Sequence, residues 1–364
     1  MREDSEAEEK EVLMYRYNFN DIFTLESNIS YFEGMFHFFK IPMGKSLGGS
    51  VHTFQFEFCL DKKLNLDIEN KERINLMLFY NRKDGSVEFR YPWFKPICAK
   101  LEFLDQGFRF TFNKHYLRFS NILAEGWELI DIFRSTLLSL LVRNQKYMIH
   151  GAAVRLGDEG ILLPAWGNTG KTSTSWMLAK RGAEFLTDEF AIIDSGYCYG
   201  LPCSSLVSGK TATRFGVKLS WNEHARLFLN DARSKILSSR YAPGGIKIYP
   251  DKLFKVCEKA KITQLAIIEN GTECFDSIGK HEAFLKIKSI QDYEFGWKSN
   301  PFLLAKSFFS GFDLNALAAM ENDFLENFLA GLKDIHIVSS NSGEQYKPFL
   351  AKVAVMEEKQ KVVR

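Results

Sequence analysis

MIHGAAVRLGDEGILLPAWGNTGKTSTSWMLAKRGAEFLTDEFAIID, residues 148–194, decides how the rest of this 364-residue chain is read. It opens on an apolar strand, turns at Gly157-Asp158-Glu159-Gly160, and returns through a short apolar run of the buried-strand type over residues 160–165. The loop that follows, residues 165–173, has the form AxxxxGKT. Gly167 and Gly170 let the backbone turn so that successive N–H groups aim at one point, and the helix expected next adds the positive end of its dipole. An anion fits such a cradle. The loop residues Trp166, Gly167, Asn168, Thr169, Gly170, Lys171, Thr172 and Ser173 are therefore the expected nucleotide site. Lys171 would reach the terminal phosphates of ATP, and the Thr172 hydroxyl would face the accompanying Mg²⁺. Residues 174–180 continue as the helix, with Met177 and Leu178 inward and Gly182 as its stop.

A carboxylate pair arrives where phosphoryl transfer needs one. Residues 183–186 read as a strand that ends in Thr187-Asp188-Glu189, before an apolar run resumes at Phe190. At the end of a strand beside the loop, such a pair can divide two tasks between its members: orienting the metal and accepting a proton from an attacking hydroxyl. His150 precedes the strand that pairs with the loop strand, which makes it the third candidate for the catalytic group formed with Asp188 and Lys171.

The same residues resemble the catalytic core of the HPr kinase/phosphorylase superfamily, and more closely its branch of HPr-kinase-related proteins. There the loop is commonly preceded by a Leu-Pro pair, as at Leu163-Pro164, and the later strand closes in Ser/Thr-Asp-Glu, as at Thr187-Asp188-Glu189. The resemblance implies an α/β P-loop kinase core distantly related to phosphoenolpyruvate carboxykinase, using ATP and Mg²⁺ to phosphorylate a hydroxyl. By position it makes Lys171 the phosphate-binding lysine and Thr172 a Mg²⁺ ligand. Asp188 becomes the general base or the residue orienting the acceptor, Glu189 a metal partner alongside it, and His150 a supporting residue near the acceptor. The family leans towards symmetric assemblies, so the resemblance also implies a homo-oligomer. The second signature of bacterial HPr kinases has no clear copy in this chain, so the resemblance does not carry over the HPr substrate or the reverse phosphorylase reaction.

The remaining sequence predicts two parts. At 364 residues the chain exceeds the usual single-core size, and 33 Phe in a 46% apolar composition supply core material. An acidic, flexible terminus over residues 1–11 precedes a mostly antiparallel β-domain over residues 12–124, where segments such as Val51–Phe58 and Phe108–Phe112 alternate apolar and polar residues. A connecting helix follows over residues 125–146, with Trp127, Ile130, Phe133, Leu137, Leu138 and Leu141 at helical spacing. The catalytic domain would occupy residues 147–350 and a solvated tail residues 351–364. Between residues 195 and 261 glycine and proline suggest loops over the site, where Lys210 and Arg240 are candidate cations for substrate.

Later segments extend the α/β pattern, with a strand at residues 265–268, helices near 282–287 and 315–332, and a last strand at 335–338. The formal charge of +2 provides no field for gathering nucleic acid. The six cysteines form no CxxC or Cys/His cluster, and the closest pair, Cys198 and Cys203, reads as buried thiols of a reduced compartment. No signal peptide or uncharged membrane span is evident, which leads to the expectation of a cytoplasmic protein without membrane contact. Three functions follow. The leading one is a kinase acting on a hydroxyl of a peptide, a protein or a small metabolite. The second is a nucleotide-binding regulatory or scaffold module without catalysis. The third, a carboxykinase-like enzyme, lacks the extra carboxylates and histidines that a second metal would need.

Overall fold

In the first hundred residues phenylalanine alternates with polar residues, and the backbone follows that period. The computed structural model of the chain describes residues 14–19, 22–32, 40, 54–67, 71–92, 94–119, 128–167, 169–203, 205–207, 209–236, 246–309, 312–340 and 345–349. The expected acidic terminus and solvated tail lie outside these residues. Eight strands form the first sheet: β1 Tyr15–Phe19, β2 Phe23–Ser27, β3 Phe54–Leu60, β4 Glu72–Arg73, β5 Leu78–Asn81, β6 Ser86–Tyr91, β7 Ile97–Leu104 and β8 Gly107–Phe112. Their order is β1-β2-β3-β8-β7-β6-β5-β4. Antiparallel pairing predominates as expected, while β3 runs parallel to both β2 and β8. Phe56 sits opposite Phe108 and Phe58 opposite Phe110, so one face of the sheet is lined with rings. The short helix α1, Lys114–Phe119, closes its end with buried Tyr116.

Helix α2, Leu129–Arg143, covers that aromatic face. It is shorter than the expected span of residues 125–146, and Trp127 lies outside the described residues. Phe133 touches Phe23, Phe32, Phe56 and Phe58 with ring centroids 5.4–6.2 Å apart. Full burial of one such ring stabilises by about 1.5–3 kcal/mol before its edge-to-face contacts are counted. The opposite side of α2 faces the second sheet. One buried cluster consequently runs without a break from Phe19 and Phe58 through Phe133 and Leu141 to Met148, Ile192 and Ile267.

The second sheet is built on two long apolar strands, β9 Lys146–Leu156 and β16 Lys259–Glu269. Nearly continuous burial along β9 explains why its sequence runs apolar instead of alternating. Both strands change partners halfway. The first half of β9 pairs with β12, Phe190–Asp194; its second half pairs with β10, Glu159–Pro164, and β11, Glu184–Thr187. β16 pairs first with β13, Tyr197–Tyr199, then in parallel with β10 and with β18, Asp334–Ser339. The edge strand is β17, Cys274–Ser277.

Around this sheet lie α3 Lys171–Lys180, α4 Gly209–Phe215, α5 Trp221–Ile236, α6 Lys280–Glu294, α7 Pro301–Phe309 and α8 Leu314–Ala330, with a small hairpin of β14 Ser205–Val207 and β15 Ile246–Ile248. The described residues thus form a mixed α/β fold with two large sheets and eight helices. Two expectations need correcting. The described residues between 195 and 261 are not loops throughout, since they hold α4, α5 and three short strands, while the stretch 237–245 lies outside the described residues. In α3 Leu178 is buried as expected, whereas Met177 is only partly buried and Trp176 is the large side chain fully enclosed. All six cysteines are free, and Cys198 and Cys203 are buried as expected. Among the described residues no helix is long and apolar enough to cross a membrane.

Candidate functional site

The loop leaves β10 at Ala165, which bridges in parallel to Ile268, and enters α3 at Lys171. Gly170 has φ +101°, a left-handed backbone that L side chains rarely adopt, so glycine is required there. The turn is pinned from inside and outside. The Thr169 hydroxyl donates to the Trp166 carbonyl (2.8 Å), and Gln345 Nε2 donates to the Thr169 carbonyl (3.1 Å). Behind it, Trp176 anchors α3 between Phe215 and Phe254. Lys171 and Thr172 therefore stand in the first turn of a fixed helix whose open N–H groups face the loop.

His150, Lys171, Asp188 and Glu189 come together at this point. Lys171, 6% exposed, donates from Nζ to His150 Nε2 (2.9 Å) and lies 3.6 Å from Glu189 Oε2. His150 Nδ1 is 2.9 Å from the Ala165 carbonyl. That pair of contacts assigns the neutral ring with its proton on Nδ1, since Nε2 then accepts from lysine. Glu189 Oε2 is 3.2 Å from His150 Nε2. Burial pushes the Glu189 carboxyl up, but the Lys171 charge, helped by that of Arg134, outweighs it and holds the group well below the usual carboxylate range. Its side chain is 43% exposed, so water screens part of this pairing.

Asp188 differs in kind from its neighbour. It is 3% exposed, and Oδ2 accepts from the Ser205 hydroxyl (2.9 Å) on β14. Oδ1 is buried without a hydrogen-bond partner, although the Thr172 hydroxyl is close enough to draw the carboxyl's pKa down. Burial is the larger effect. Reinforced by the charge of Glu189 and opposed by that of Lys171, it pushes Asp188 up to about 6.

The last turn of α6 forms a wall of the site that the sequence reading did not anticipate. Gln291 accepts the His150 backbone N–H (2.6 Å) and donates to the Met148 carbonyl (2.6 Å), gripping β9 on both sides of Ile149. Tyr293 meets the Trp166 ring at 5.2 Å, Glu294 Oε1 accepts the Gly167 N–H at 2.6 Å, and Phe295 lies 5.7 Å from the His150 ring. A buried network holds the helix in place: Glu321 accepts from Tyr147 (2.9 Å), Lys288 (2.6 Å) and Lys298 (2.9 Å). Arg134 of α2 also approaches, stacked over Phe190 at 4.9 Å, with its Nε buried and without a hydrogen-bond partner. Nothing at the loop itself signals these residues, because Glu294 lies 127 positions from Gly167.

Other candidates are placed differently. Lys210 stands in the first turn of α4 and not in a loop. Arg240 and Asn168 lie outside the described residues, and Ser173 is partly buried in the first turn of α3. Among the described residues no three His, Cys, Asp or Glu side chains gather as a metal site. A Mg²⁺ ion needs less than that, because it binds one or two carboxylates and a hydroxyl with substrate phosphates completing its shell. The unpartnered Asp188 Oδ1 beside the Thr172 hydroxyl fits such a donor set. No protein-family model matches the chain, and no curated protein matches it either.

Proposed function

We propose that this chain is an ATP- and Mg²⁺-dependent phosphotransferase of the P-loop kinase type, acting on a hydroxyl of a peptide, protein or small molecule. The observation that carries the reading is Asp188, a buried carboxyl at about 6 with one free oxygen, set beside Lys171 and Thr172 at the start of α3. Perturbed acids next to a fixed cation and an open helix N-terminus mark sites of chemistry.

In the proposed reaction the amides of residues 167–172 and the Lys171 ammonium hold the phosphates. The donors that would hold Mg²⁺ are the Thr172 hydroxyl and the Asp188–Glu189 carboxylates, and the bound ion would neutralise phosphate charge. The acceptor oxygen forms a bond to the γ-phosphorus as the bond from that phosphorus to the β–γ bridging oxygen breaks, releasing ADP. The hydroxyl proton passes to Asp188, whose raised pKa makes it a stronger base than an ordinary aspartate. His150 keeps Lys171 aimed, its own ring fixed by the Ala165 carbonyl, and Glu189 balances the lysine charge.

The test is calorimetry with ATP and Mg²⁺ followed by γ-phosphate transfer over a panel of hydroxyl acceptors. Binding with transfer that Asp188→Asn abolishes is the expected result. Tight binding without transfer or hydrolysis would favour a regulatory module, and absence of binding would overturn the proposal.

A further inference from the structure

An anion already sits on the loop, and it is supplied by the protein. Gly167 gives its N–H to Glu294 at 2.6 Å, although a loop of this form is expected to turn its amides towards phosphate. The location within the loop matters. The arm running through Ala165, Trp166 and Gly167 lies on the His150 side, because the Ala165 carbonyl binds the His150 ring and that ring receives the Lys171 ammonium. The tip of Lys171 is where a terminal phosphate is drawn. Glu294 therefore lies beside the place of the last phosphate of a bound nucleotide, away from the amides at the start of α3 that would take the inner ones.

Glu294 is also a wall of something else. It lines a cavity of about 430 Å³ together with Asp131, Ser135, Tyr293, Phe295 and Asn300, which opens between α2 and the end of α6. Phe295 of that wall touches His150, and Tyr293 touches Trp166. A cavity of this size accommodates a small ligand or one side chain of a larger one. One carboxylate thus links the loop to a polar chamber whose Phe295 wall touches His150.

Resting on the kinase reading, we infer that Glu294 is a specificity-determining residue that senses the terminal phosphate: a nucleoside triphosphate must expel it from Gly167, whereas a diphosphate does not. Two anions cannot share one amide without strong repulsion, so occupation by the triphosphate releases the carboxylate and with it the last turn of α6. Release remodels the chamber wall at Tyr293 and Phe295, which places nucleotide binding ahead of acceptor binding. The cost of expulsion is borne by the triphosphate alone, so Glu294 narrows the affinity gap between substrate and product nucleotides and favours turnover.

The experiment is calorimetry with Mg²⁺-ATP and with ADP on wild type, Glu294→Gln and Glu294→Ala, with melting curves of the free proteins as a check on folding. Both variants should bind ATP about ten-fold more tightly than wild type, the fold-change expected for losing one partly exposed charged competitor, while ADP affinity moves less than two-fold. Trp166 fluorescence should change on ATP addition in wild type and respond less in the variants, where Tyr293 is no longer held by its neighbour. Equal shifts for ATP and ADP, an unchanged ATP affinity or a weakened one would overturn the inference while leaving the kinase reading intact. Failure of every form to bind ATP would instead remove the kinase reading, and the inference with it.

Discussion

The two sheets are of equal strand number and unequal purpose. In the first, most neighbouring strands follow one another in sequence, and its inner face is a continuous set of phenylalanine rings closed by Phe133. The second is assembled from strands distant in sequence, β10 beside β16 and β16 beside β18, and buried Lys171, Asp188 and Glu321 lie around it. Antiparallel neighbours need only a turn, whereas parallel ones need crossovers, and long connections of this kind bring Ser205 to Asp188, Gln291 to β9 and Glu294 to the loop. The lesson is a division of labour. One sheet converts apolar area into stability, and the other gives up some of it to hold ionisable groups out of water.

The division would break most visibly through Asp188. Replacement by asparagine should cut phosphate transfer by a factor on the order of 10⁴ while ATP binding in calorimetry stays within a few-fold, and transfer near the wild-type rate would remove Asp188 as the base. In the wild type, transfer should fall as the pH drops below about 6, where the carboxyl takes up its proton. Phe133→Ala attacks the other sheet. It should lower unfolding free energy by about 3–5 kcal/mol in denaturant titration and leave the ATP affinity of the folded protein unchanged. A large loss of ATP affinity would show that the two regions are not separable in function.

Lys171→Ala should weaken ATP binding by about 100-fold, with little loss of stability because the lysine points into the site. The smallest effect is thermodynamic. Asp188 has its folded pKa raised from 3.8 to about 6, so above that value the native state bears an ionised, buried carboxyl, and its penalty disappears as the pH falls from about 6 to 4. Asp188→Asn should therefore be more stable than wild type by about 2–3 kcal/mol at pH 7.5 and equal to it near pH 4. A variant less stable at both values would contradict the charge-burial account.

How far the sequence was legible follows the same division. Alternating phenylalanines and the strand, loop and helix at residues 159–180 were readable because each signal is local. His150, Lys171, Asp188 and Glu189, each singled out within one stretch of sequence, lie together in the fold. Helix α5 escaped notice because Trp221 and Phe228 are 84% and 75% exposed, so its apolar residues mark no buried stripe. Helix α7, PFLLAKSFF, is apolar on nearly all sides and has no period to detect, and β17 is an edge strand with little burial. Gln291 and Glu294 were beyond reach for a different reason. Their partners are defined by the packing of α6 against β9, and no pattern along the chain records that distance.

Because β9 is bonded to three strands along its eleven residues and clamped by Gln291, His150 rides on a firmly held strand. Compliance must come from elsewhere: the long arm of Lys171, and the end of α6 where Glu294 lets go. A rigid anvil faced by two yielding parts favours partners that adapt to it, so selectivity here should be altered more readily by changing residues 293–300 than by touching the strand.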